Sequence, residues 1–194
     1  MDDVINSQVH IDLETLGISS TSRILSIGAV CGEDEFYTEI DTLIYNTLPP
    51  AMDKFTFDQS TLDWWEEQGW FQPTLYKLST PSEAVSNLVV WIGEIMAEKK
   101  DVTIWANSPS FDCAILLHHM RVFNITPPWR FYLERDVRTI KSLASDLKLA
   151  IRPVQNPHNA LQDAKNQQAF VASVFATLAQ KVHKANQIPD KLSV

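Results

Sequence analysis

Val9-His10-Ile11-Asp12-Leu13-Glu14-Thr15-Leu16-Gly17-Ile18 opens on the alternation of a strand, with Val9, Ile11 and Leu13 interleaved with His10, Asp12 and Glu14. Residues two apart on a strand share a face, so Asp12 and Glu14 project side by side. Thr15 and Gly17 end the strand and leave the acidic pair at its C-terminal end. Such a pair is either a solvated polar face on an edge strand or a ligand pair for a hard divalent cation, which prefers carboxylate oxygens. Two carboxylates this close repel one another unless something cationic sits between them.

The first strand is expected over residues 6–13, and a second over Arg23 to Cys31, apolar enough to be central in a sheet. A Gly32–Asp34 turn leads to a third from about Glu35 to Ile40, which makes the opening an antiparallel meander. Residues 41–56, with Pro49-Pro50, read as loop. A short helix follows, capped by Asp58 or Ser60 and stopped at Gly69. Thr80-Pro81-Ser82-Glu83 opens a longer helix whose apolar set is Val85, Leu88, Val89, Ile92 and Met96. Then come a buried strand at Val102–Ala106, a helix after Asp112, a strand near Arg130–Leu133 and a helix from Asp136 to Leu149. Asn156-Pro157-His158 introduces the last helix, Ala160 to Val182. Strands and helices alternating after a meander imply an α/β three-layer domain with a mixed sheet. The expected organisation is one domain over residues 1–182, with a polar, loose tail over 183–194.

No apolar stretch approaches the length of a membrane span, and the acidic start Met1-Asp2-Asp3 carries no secretory h-region. Cys31 and Cys113 are too few for a disulfide framework, so a cytoplasmic location is expected. The net charge of −8 argues against a wide nucleic-acid-binding surface. It is unevenly spread: residues 1–100 hold 5 basic and 17 acidic side chains, residues 101–194 hold 11 and 7. A polyanion should therefore meet the second half.

Carboxylates recur where strands meet loops or helices, at Asp12 and Glu14, at Asp112 and at Asp163. Taken singly, Asp112 is an acid favoured by a helix dipole and Asp163 an exposed acid on the final helix. His158 is five residues before Asp163, a rotation of about 500° on an ideal helix, which leaves the two side chains about 140° apart. His158 must therefore stand in the entry segment if both face one site. A mobile histidine beside a fixed metal ligand divides proton transfer from metal binding. Trp64 and Trp65 point about 100° apart on a helix. One is expected in the core, and the other is a candidate platform for a base.

Asp12-Leu13-Glu14-Thr15, Asn107-x-x-x-Phe111-Asp112 and His158-Asn159-Ala160-Leu161-x-Asp163-Ala164 together resemble the three motifs of the DEDDh 3′–5′ exonucleases. Ser60-Thr61-Leu62-x-Trp64-Trp65-x-x-Gln68 and Arg135-Asp136-Val137-Arg138-Thr139 are similar to a narrower group, the phage-type exonucleases and RNase AS-like exoribonucleases. The resemblance implies a ribonuclease H-like fold and two divalent cations, Mg²⁺ or Mn²⁺, held by Asp12, Glu14, Asp112 and Asp163. It implies His158 as general base and release of 5′-nucleoside monophosphates from the 3′ end of single-stranded DNA or RNA. Substrate contacts are expected from Leu13, Thr15, Trp64, Trp65, Asn107, Phe111 and Arg138. Arg138 and Lys141 are either phosphate contacts or solvated helix charges. A homodimer is compatible with this reading. Cys113 stands where many relatives have asparagine, and Thr15 where RNase AS-like relatives have an aromatic, so base preference is not carried over. Two rival readings are an exonuclease restricted to very short or modified oligonucleotides, and a non-catalytic nucleic-acid-binding module.

Overall fold

The computed structural model describes residues 7–50, 52, 54–69, 78–149 and 158–186. Five strands form one sheet in the order β3-β2-β1-β4-β5. They are β1 (Gln8–Thr15), β2 (Ile24–Cys31), β3 (Asp34–Glu39), β4 (Thr103–Ala106) and β5 (Glu134–Asp136). The first three pair antiparallel, while β4 and β5 run parallel to β1, so the sheet is mixed as the alternation of elements implied. The helices are α1 (Gln59–Glu67), α2 (Pro81–Glu98), α3 (Asp112–Val122), α4 (Val137–Asp146) and α5 (Ala160–Asn186).

β1 is central, and apart from half-buried Asp12 every one of its side chains is buried. Val9, Ile11 and Leu13 face one side, where Val85, Leu88 and Ile92 of α2 and Ile115, Leu116 and Met120 of α3 complete the main core. The other face carries His10, Asp12 and Glu14 and is covered by α5, which packs across β1 and β2. Trp105 of β4, Val137 of α4 and Val171 of α5 form a smaller apolar cluster there. His10 lies on that face stacked on Trp105 at 5.6 Å, and burial lowers its pKa to about 3, so it is a neutral core residue.

Three sequence expectations need correction. Phe131–Leu133 is a 3-10 turn, and β5 starts after it at Glu134. Its aromatic run reads as a strand, yet β4 offers pairing partners only for Glu134, Arg135 and Asp136, and Phe131 is 81% exposed. Within the expected loop 41–56, Thr42–Thr47 is a 3-10 helix started by Asp41, whose carboxylate accepts from Leu43 N–H. Its purpose is to bury Tyr45, whose hydroxyl meets Ile24 N–H at 3.1 Å and His119 Nε2 at 2.9 Å. Finally, α5 runs to Asn186, beyond the expected end at Val182. The expected tail beyond Asn186, Trp70 and the Asn156-Pro157 helix entry lie outside the described residues. The α2 entry is as read: Thr80 and Glu83 form a reciprocal capping box behind Pro81.

Gly28 sets the distance between α5 and the sheet. A Cβ there would lie 2.1 Å from the backbone of Ala160 and Leu161, far inside van der Waals contact. Gly28→Ala should therefore force the first turn of α5 off the sheet and cost at least about 3 kcal/mol, at or beyond the upper end of overpacking penalties. Gly93→Ala is the control: the site is open, the residue is inside α2, and alanine should stabilise by about 1 kcal/mol. Chemical denaturation of both variants checks the pair, and a Gly28→Ala protein as stable as wild type would refute the close-contact argument.

Candidate active site

Asp12 pairs across the β1–β2 ladder with Gly28, and Glu14 with Ser26. Because α5 rests on Gly28, its first turn brings Asp163 down onto the acidic pair. Oxygens of Asp12, Glu14 and Asp163 all lie within 4.8 Å of one another. Asp163 is anchored by the start of the helix: its N–H donates to Asn159 carbonyl at 2.8 Å, and Asn159 Oδ1 caps Gln162 N–H at 3.0 Å. Asp112 approaches from the first residue of α3, just past the end of β4, and is 4% exposed. It stands beside the close trio rather than within it, near enough that its charge raises the pKa of both Asp12 and Glu14.

The electrostatics are those of an under-compensated anionic cleft. Burial first, then repulsion from Asp112, Glu14 and Asp163, holds Asp12 well above the usual carboxylate range. Burial and the neighbouring acids push Glu14 up to about 8. Asp112 is raised to about 7 by burial, against the pull of backbone donors at Ser108, Leu13 and its own position. Asp163 is also raised by burial, with Asn166, His158 and Lys141 opposing. A set of clustered hard oxygen donors, free of thiolate or imidazole, matches the preferences of Mg²⁺ or Mn²⁺. Metal cations would supply the positive charge that lets all of them ionise.

Near the cleft, α4 begins at Asp136, whose carboxylate accepts from Arg138 N–H and Thr139 N–H. Asn107, at the end of β4, gathers the two cations of that helix. Arg138 Nε donates to its carbonyl at 3.3 Å and Lys141 Nζ to its Oδ1 at 2.7 Å. Lys141 also lowers the pKa of Asp12 and Asp163 by its charge.

The tryptophan pair divides. Trp65 is 2% exposed, packs with Leu16 and Leu25, and donates its indole N–H to Thr15 carbonyl at 2.9 Å. Trp64 is half-buried and stands edge-to-face with His158, ring centroids 4.9 Å apart at 81°. His158 itself is exposed, precedes α5, and has φ 52°, a left-handed conformation that histidine tolerates better than most residues. Of the remaining expected substrate contacts, Leu13 has its side chain in the core and Phe111 packs half-buried against it. The Thr15 hydroxyl is turned to Gly17 carbonyl at 2.7 Å.

Two residues at this site escaped the sequence reading. Gln167, on the same face of α5 one turn after Asp163, donates its amide to Asp12 Oδ1 at 2.8 Å. Gly28, beneath that helix, was visible only as one apolar-strand residue among nine.

The 3′–5′ exoribonuclease Rv2179c-like domain family matches residues 7–175. No curated protein matches the chain. Among solved structures, it is similar to the nuclease domain of 3′hExo, a DEDDh family member, bound to rAMP. The TM-score is 0.62 at 13% identity, over 91% of this chain and 95% of that one, which establishes a common ribonuclease H-like fold. The chain belongs to the Rv2179c-like 3′–5′ exoribonuclease domain family.

Proposed function

We propose that this exonuclease removes single nucleotides from the 3′ end of single-stranded RNA as 5′-monophosphates, using two divalent cations held by Asp12, Glu14, Asp112 and Asp163. The observation that carries the reading is the convergence of Asp12, Glu14 and Asp163 oxygens within 4.8 Å, with Asp112 alongside. RNA is chosen over DNA on the family's description. Bound there, Mg²⁺ or Mn²⁺ would supply Lewis-acid stabilisation of phosphate charge and an acidified water as nucleophile. His158, just ahead of α5 and near enough to Asp163 to act on its charge, accepts the proton of the attacking water. Trp64, half-buried beside it, contacts the terminal base, while Trp65 supports the backbone of Thr15. Arg138 contacts a phosphate, with Lys141 beside it on α4, both gathered at Asn107.

Matched 5′-labelled single-stranded RNA and DNA oligonucleotides test the whole scheme. With Mg²⁺ or Mn²⁺ the RNA should give a descending ladder, EDTA should abolish it, and a closed RNA circle should stay intact. Cutting of the circle would show that the direction is wrong, and undiminished activity in chelator on stripped protein would remove the cations from the scheme.

The roles of His158 and Asp163 separate in metal affinity. His158→Ala should lower kcat by roughly 10²- to 10⁴-fold while Mn²⁺ binds as to wild type. Asp163→Asn should weaken Mn²⁺ binding as well as turnover. Calorimetry with single-turnover rates checks both. If His158→Ala loses metal as severely as Asp163→Asn, the histidine is a ligand and not a base.

The raised carboxyls also make stability pH-dependent. Burial and neighbouring acids raise Glu14 to about 8 in the folded protein from an ordinary value near 4.5, and burial raises Asp112 to about 7 from one near 3.8. Between those limits the native state binds more protons than the unfolded chain. Their contribution is thus complete below about pH 4 and lost as pH rises through 7 to 8, by about 1.4 kcal/mol per pH unit for each excess proton. Cations favour the deprotonated site, so Mn²⁺ should raise Tm more at pH 8 than at pH 5.5. Equal shifts at the two pH values in scanning calorimetry would contradict this.

A further inference from the structure

Asp12 is the most central acid of the cleft, and one of its two oxygens is already engaged inside the protein. Gln167 Nε2 donates to Asp12 Oδ1 at 2.8 Å across 155 residues of sequence. Gln167 is 5% exposed, in the stripe of α5 that packs on the sheet with Ala160, Ala164, Val171 and Val174. Its own Oε1 is buried and has no hydrogen-bond partner among the described residues. With cations bound and Asp12 ionised, the amide cannot be turned over, because that carboxylate only accepts and needs the N–H side. A buried acceptor without a partner costs stability, whereas an apolar side chain of similar length in the same stripe would not carry that cost. Packing alone therefore does not account for glutamine here.

We infer that Gln167 is a positioning residue, whose amide fixes the Asp12 carboxylate in the orientation in which it meets Glu14 and Asp163. The inference rests on the proposed reading of Asp12 as a cation ligand. A carboxylate held by one fixed donor presents its remaining lone pairs in a single direction, whereas an unheld one rotates about its last bond and must be ordered when a cation binds. Such supporting hydrogen bonds are worth about 10- to 100-fold in metal affinity. Gln167 thus works from behind Asp12, without touching substrate.

Mn²⁺ titration of wild type, Gln167→Met and Gln167→Leu by calorimetry, with thermal unfolding of each protein in chelator, tests it. The expected result is 10- to 100-fold weaker Mn²⁺ binding by both variants, with metal-free Tm equal to or above that of wild type. Turnover should recover toward wild type as Mn²⁺ is raised. A merely structural glutamine predicts the opposite pattern, and a lowered metal-free Tm in both variants would overturn the inference. So would wild-type affinity in either stable variant. If wild type itself binds no Mn²⁺, the proposed function falls and this inference with it; unchanged affinity in the variants alone removes only the inference.

Discussion

The contact between Gly28 and the first turn of α5 is the constraint on which the site depends. Asp12 and Gly28 are ladder partners, so whatever rests on Gly28 also stands over Asp12. The buried stripe of α5 begins with Ala160 and Ala164 and only later carries Val171 and Val174. Small residues at the start let the helix approach the sheet at the acidic end, and larger ones fill the space further along. Beyond the contact itself, Gln168 makes a two-way hydrogen bond with the backbone of Gly32 at 2.9 and 3.0 Å. Lys165 pairs with Glu35 at 2.7 Å across the same turn. These clamps fix the rotation of the helix about its axis, which decides whether Asp163 or a neighbour faces Asp12.

Assembling carboxylates in a half-buried cleft works against stability, and the fold contains the cost in two ways. Asp112 and Asp163 both sit in the first turn of a helix, where backbone N–H groups and the helix dipole favour negative charge. The rest of the repulsion is met by protons: burial raises all four acids, and neighbouring carboxylates raise Asp12 and Glu14 further, so the metal-free cleft need not carry four negative charges at neutral pH. The core on the opposite face of β1 is independent of this balance, because alternation sends Val9, Ile11 and Leu13 away from the cleft. A strand buried on both faces can thus be apolar on one side and chemical on the other.

What could be read from sequence follows from which constraints are local. Period-2 alternation announced β1 and the shared face of Asp12 and Glu14, and the Thr80–Glu83 box announced α2, because strand pleat and helix caps are set by neighbours. Five-residue spacing put His158 outside the helix on the condition that it and Asp163 face one site. Asp112 and Asp163 looked ordinary one at a time, and only their order along the chain tied them to Asp12. Gln167 was invisible, since its partner lies on a strand at the other end of the chain. Helical position could separate Trp64 from Trp65 in direction but not say which direction was inward; the Thr15 carbonyl that receives the Trp65 N–H settles that. Phe131–Leu133 misled because β-propensity says nothing about whether a pairing strand is present.

The charge asymmetry of the chain finds its place in the same geometry. The acidic first half supplies β1, and the basic second half supplies α4, whose Arg138 and Lys141 converge on Asn107 at the end of β4. Both cations are held at Asn107 by a neutral carbonyl and a neutral amide oxygen. A carboxylate partner would compete strongly with a phosphate, whereas an amide is a weaker acceptor than an anion. Lys141 is thereby kept close to Asp12 and Asp163 without being consumed by either, and a phosphate entering the proposed site would exchange an uncharged partner for a charged one. Arg138 and Lys141 together place positive charge at the end of β4, beside the acidic cleft, on a chain whose net charge is −8.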